Sequence, residues 1–107
     1  MRRGDLITVA FQGDYGKPRP ALVIRSDLFN EHPSVTVLPV TSDLRETPIF
    51  RITLEPSETN SLVKRSQVMV DKAMTIPREK AGESFGRISD TEMLAVTRAL
   101  AVFLGFA

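Results

Sequence analysis

Ser34-Val35-Thr36-Val37-Leu38-Pro39-Val40-Thr41 reads as a β-strand that follows the polar turn around His32-Pro33. Working outward from it, Pro20-Ala21-Leu22-Val23-Ile24 forms the strand before, and Leu6-Ile7-Thr8-Val9-Ala10-Phe11, rich in β-branched residues, forms the first. Gln12 to Pro18 joins those two as a loop carrying Gly13, Gly16 and Pro18. Downstream, Ile49-Phe50-Arg51-Ile52-Thr53-Leu54 and Ser66-Gln67-Val68-Met69-Val70-Asp71 alternate apolar and polar residues, as strands do when one face is buried. Pro56 to Asn60 is turn-like, and Phe85 falls in a short last strand.

The chain closes on a helix. Ser89 caps it, and Glu92 three positions later completes a capping box. Met93, Val96, Leu100, Phe103 and Leu104 follow at helical spacing, which predicts one stripe facing the sheet, and Gly105 ends the element. Five or so short strands with one covering helix predict a mainly β fold with a C-terminal α-helix, a small and partly open barrel. No repeat or linker divides the chain, so residues 1–107 read as a single domain of ordinary size.

Composition narrows the chemistry. With 42% hydrophobic and 25% charged residues the chain is that of a globular protein. Met1-Arg2-Arg3 runs straight into Gly4-Asp5, so no signal peptide is expected, and no apolar run approaches the ~20 residues of a membrane span. Cys 0 removes thiolate catalysis and cysteine metal sites and suits a cytoplasmic location. One histidine, His32, excludes a paired-histidine ribonuclease mechanism and reads as a surface residue of its turn. No phosphate-binding P-loop, dinucleotide fingerprint or serine-hydrolase elbow occurs, and the carboxylates lack metal-ligand spacing, so neither metal nor cofactor is expected. A net charge of +1 does not mark a duplex binder, yet Arg2, Arg3, Lys17, Arg19 and Arg25 cluster near the start, and Lys64, Arg65 and Lys72 later.

Two places can carry chemistry. In Gly13-Asp14-Tyr15-Gly16-Lys17-Pro18-Arg19-Pro20 the glycines allow close approach of a ligand, and two prolines restrict the backbone of Arg19. A pre-set guanidinium holds a phosphate through two hydrogen bonds, Asp14 adds a carboxylate, and Tyr15 offers a ring on which a base can stack. In Pro39-Val40-Thr41-Ser42 two adjacent hydroxyls close a strand and can donate to phosphate oxygens. Taken one at a time, a hairpin with a solvated arginine and a strand that merely ends in threonine describe these stretches as well.

Together they are less ordinary. Arg3-Gly4-Asp5-Leu6, Arg19-Pro20-Ala21-Leu22-Val23-Ile24, Asp27-Leu28-Phe29-Asn30, Pro39-Val40-Thr41-Ser42, Ser66-Gln67-Val68-Met69-Val70-Asp71-Lys72 and Asp90-Thr91-Glu92-Met93 resemble, in order and spacing, the MazF/PemK (Kid) family of toxins. The resemblance implies an SH3-like barrel that dimerises with a second copy. It also implies a metal-independent, sequence-specific endoribonuclease, an mRNA interferase. Such an enzyme cuts single-stranded RNA by 2′-OH attack, leaves a 2′,3′-cyclic phosphate and a 5′-OH, and so inhibits translation and growth until a MazE/PemI-like antitoxin binds. It assigns catalysis to Arg19 and Thr41, with Asp14 as a possible base or loop carboxylate. Tyr15, Lys17, Ser42, Arg65, Ser66 and Gln67 are expected to contact RNA.

One departure matters. Where Kid-like relatives carry an arginine and an aspartate as acid and base, this chain has Lys64 and Ser66, and serine is a poor base near neutral pH. The proton-transfer roles therefore stay open. Two rivals keep the fold: a CcdB-like gyrase poison, which Trp 0 and the retained Arg19 and Thr41 disfavour, and an inactive binding member.

Overall fold

The computed structural model describes residues 1–10, 17–46 and 50–107. Among those residues, seven strands form one antiparallel sheet: β1 (Asp5–Ala10), β2 (Pro18–Val23), β3 (Ser34–Thr41), β4 (Arg51–Leu54), β5 (Ser66–Met69), β6 (Met74–Pro77) and β7 (Ala81–Arg87). The helix α1 (Asp90–Phe103) follows. The spatial order is β4-β5-β3-β2-β1-β7, and β6 also pairs with β3. The mainly β fold with one C-terminal helix is thus as the sequence predicts, with β3 matching residue for residue.

The central strands look continuously apolar because both faces are buried. Leu6, Leu22, Leu38 and Val40 point into one core with Leu54, Val68, Val70, Ile88 and Val96 of α1. Ile7, Val9, Ala21, Val23, Val35 and Val37 point into a second, closed by Ile76 of β6. Alternate residues of one strand therefore feed different cores, the two-residue period at work. Each fully buried Val or Leu contributes roughly 1.5–3 kcal/mol.

β6 is the element that the sequence reading lacks. Of its four residues only Ile76 is buried, so its period-2 signal is a single position. The run after β5 also departs from expectation: Val70–Lys72 leaves the strand as a 3-10 turn, which lets the chain re-enter as β6 on the same edge of β3.

The helix is held as read. Ser89 Oγ accepts the Glu92 N–H at 3.0 Å, and Glu92 Oε1 accepts the Ser89 N–H at 2.8 Å. At its end the Gly105 N–H reaches Val102 O and the Phe106 N–H reaches Ala101 O, with Gly105 at φ +82°. That is the left-handed cap glycine favours. Val96 is fully buried and Met93 and Leu100 pack on the same core. The stripe then runs out: Phe103 and Leu104 are 43% and 50% exposed, and Phe103 meets the Phe50 ring edge-on at 5.5 Å.

Candidate active site

β2 and β3 pair through Val23↔Val37, Leu22↔Leu38 and Ala21↔Pro39, and there the ladder stops. Pro20, which falls at the next hydrogen-bonded position opposite Val40, lacks the N–H needed to continue it. Two residues further on each strand in that register come Arg19 and Thr41. The strands part at this point, and the opening is a cleft of about 770 Å³. It is lined by Arg19 and Pro20 of β2, by Pro39 to Asp43 at and beyond the end of β3, and by Ser66, Met69, Lys72, Ala73 and Met74. Arg19 and Thr41, distant in sequence, share one cavity.

Local bonding prepares these side chains. Thr41 Oγ1 accepts the Asp43 backbone N–H at 3.0 Å. That bond does not use the hydroxyl proton, which Thr41 can donate to a ligand. Ser42 is exposed beside it, and Asp43 Oδ2 accepts from Arg45 Nη2 at 3.2 Å. Ser66, nearly buried, donates to Lys64 O at 2.9 Å and keeps its lone pairs. Lys72 brings a second cation to the rim, 4.0 Å from Asp71. Two cations beside the apolar Pro39, Val40, Met69 and Met74 suit a phosphate flanked by a flat base.

Not every expected residue converges. Asp14 and Tyr15 lie outside the described residues. Lys17 immediately precedes β2, and neither it nor Arg65 lines the cleft; Arg65 Nε instead lies 2.7 Å from Glu55 Oε2. Gln67 turns inward: its amide bonds Arg45, Arg51 and Thr53 rather than opening to the cavity. Asp43 and Lys72 are the charged wall residues that sequence reasoning did not single out for the site. Lys72 was visible as a member of a basic group, but only the 3-10 turn after β5 brings it to Arg19.

Away from the cleft, one ion pair fastens the chain start to the last strand. Arg87 Nη1 lies 2.6 Å from Asp5 Oδ1, and the Arg2 N–H donates to Asp5 Oδ2 at 2.8 Å. Burial pushes the Asp5 carboxyl up, but the Arg2 N–H and the Arg87 guanidinium outweigh it and hold its pKa below the ordinary value.

Comparison with known proteins adds likenesses of sequence and of fold. Residues 2–104 match the model of the PemK-like, MazF-like toxins of type II toxin-antitoxin systems. The chain is 45% identical to a probable endoribonuclease MazF of Mycolicibacterium smegmatis, across 100% of this chain and 99% of that protein. Among solved structures, a mycobacterial endoribonuclease in complex with its cognate antitoxin superposes with a TM-score of 0.84 at 21% identity, covering 100% of this chain and 97% of the other, a likeness of fold. A MazE-MazF crystal structure from Deinococcus radiodurans superposes with a TM-score of 0.78 at 27% identity, covering 98% and 96%.

Proposed function

The chain belongs to the family of PemK-like, MazF-like toxins of type II toxin-antitoxin systems, and from that premise we propose that it is an endoribonuclease whose active site is the Arg19–Thr41 cleft. The observation that carries the reading is that Arg19 and Thr41 line one cavity at the point where β2 and β3 part. RNA supplies its own nucleophile, the 2′-OH beside the scissile phosphate. Attack by O2′ forms a new bond to phosphorus and breaks the bond to O5′, leaving a 2′,3′-cyclic phosphate and a 5′-OH. One proton leaves the 2′-OH and one is delivered to O5′.

Arg19 stabilises the extra negative charge on the pentacoordinate phosphorus and holds the phosphate in line. Thr41, whose oxygen already accepts the Asp43 N–H, donates its hydroxyl proton to a non-bridging oxygen. Asp14 stays the first candidate for the base, and Asp43, on the cleft wall, is a second. The reading extends to the rest of the system. The exposed apolar end of α1, Val102 and Phe103, together with Phe106 just beyond it, suits the interface of a cytoplasmic homodimer. An acidic, extended antitoxin segment suits a groove that holds Arg19 and Lys72.

The test is to incubate purified protein with a long single-stranded RNA and map the new ends. Cuts at a short recurrent motif with 5′-OH ends, abolished in Arg19→Ala and Thr41→Ala proteins that remain folded, are expected. Intact RNA, or near wild-type turnover in both variants, would overturn the proposal; intact RNA with tight binding would mark a non-catalytic member.

A further inference from the structure

Thr41 and Ser42 stand at the start of a turn, and something must hold that turn still. Gln67 of β5 lies opposite Thr41 in the β3 register and opposite Thr53 in the β4 register. Its side chain reaches along the sheet to the turn itself. Oε1 accepts the Arg45 backbone N–H at 2.9 Å and Arg51 Nη1 at 3.3 Å. Nε2 donates to Arg45 O at 3.0 Å and to Thr53 Oγ1 at 3.4 Å. An amide side chain has two acceptor and two donor positions, so these partners engage all of them. Gln67 is 7% exposed and is not part of the cleft lining.

Both main-chain groups of Arg45 are thus held by one buried side chain, much as a neighbouring strand would hold them. The bonding continues toward the site: Arg51 Nη1 also donates to Asp43 O at 3.1 Å, and the Asp43 N–H donates to Thr41 Oγ1 at 3.0 Å. We propose that Gln67 is a positioning residue of this cleft: its amide clamps the turn after β3 so that the Thr41 hydroxyl stays aimed at the bound phosphodiester. The proposal rests on the endoribonuclease reading and replaces, for Gln67, a direct RNA contact with action through Arg45, Asp43 and Thr41. Pre-organisation of this kind acts on turnover rather than on affinity, because a misplacement of about 1 Å at the reacting centre can cost ~100-fold in rate.

Gln67→Met keeps the side chain's length and removes its bonds; Gln67→Glu keeps the acceptor for Arg45 N–H and loses the donor to Arg45 O. Purified full-length proteins are compared for kcat and KM on a short RNA carrying the mapped motif, and for amide hydrogen exchange. The expected result for Gln67→Met is a kcat lower by roughly 10–100-fold with KM nearly unchanged. Exchange at Arg45 should quicken by about 10-fold or more while the core amides of Leu38 and Val68 stay protected. Gln67→Glu should fall between, and it decides the matter if the methionine variant does not fold. A raised KM at unchanged kcat would show that Gln67 touches RNA and would overturn the proposal. So would a loss that merely tracks the folded fraction, or unchanged exchange at Arg45. A wild-type protein that cuts no RNA defeats the endoribonuclease reading instead, a result distinct from a cutting wild type matched by its Gln67→Met variant.

Discussion

The two halves of β3 are built from similar residues and do opposite work. Its first half is closed on both sides, paired with β6 from Ser34 to Val37 and with β2 at Val37 and Leu38. Val35 and Val37 are buried there. Its second half begins at Pro39, where the ladder to β2 ends, and finishes at Thr41 on the rim of the cleft. The difference lies in one missing N–H and the polar residues after it: stability is concentrated where the ladder is complete, and the site opens where it fails.

The sharpest way to break that comparison is to exchange its terms. Arg19→Ala or Thr41→Ala in the open half should lower kcat roughly 10²–10³-fold, the size of a lost charge-stabilising donor. The melting temperature should barely move, as calorimetry beside an RNA cleavage assay would show. Val37→Ala in the closed half should do the reverse, costing about 2–3 kcal/mol in urea unfolding through lost burial and a residual cavity. Cleavage per folded molecule should be unchanged. If both changes moved both readouts alike, the division within β3 would be false.

Smaller effects sharpen the picture. Asp5→Asn, remote from the cleft, should cost about 1–3 kcal/mol near neutral pH, the range for a hydrogen bond to a charged group. Because the folded pKa of Asp5 lies below the ordinary 3.8, its contribution is present above that value and is lost as pH falls through the folded pKa. The wild-type and Asp5→Asn unfolding curves should therefore converge in acid, and equal separation at every pH would exclude the ion pair as the cause. The smallest effect is expected of Lys72→Gln: a KM raised about 3–10-fold, with the salt dependence of RNA binding reduced by about one phosphate contact. An unchanged salt slope would remove Lys72 from the phosphate path.

How far each feature could be read from the sequence follows the range of the interactions behind it. The Ser89–Glu92 capping box spans three residues, so it was legible in full. β6 was not, since its one buried residue, Ile76, acquires meaning only against the core face of β3. Arg19 and Thr41 were singled out by residue type and by resemblance, but their convergence needed the strand register. Gln67 was placed in the right segment with a different role, because the Arg45 main chain that engages it is far away in sequence.

By itself, then, the sequence determined most of the strands but not β6, where the helix starts and stops, and which side chains are chemically able to hold a phosphate. These depend on periodicity, capping and residue type, all properties of neighbours along the chain. Only the tertiary structure decided that Arg19, Thr41 and Lys72 face one cavity and that Gln67 is bonded to the turn beside it. Those facts depend on how β2, β3, β4 and β5 are registered and on where Pro20 interrupts a ladder, and register is settled by burial of both cores at once.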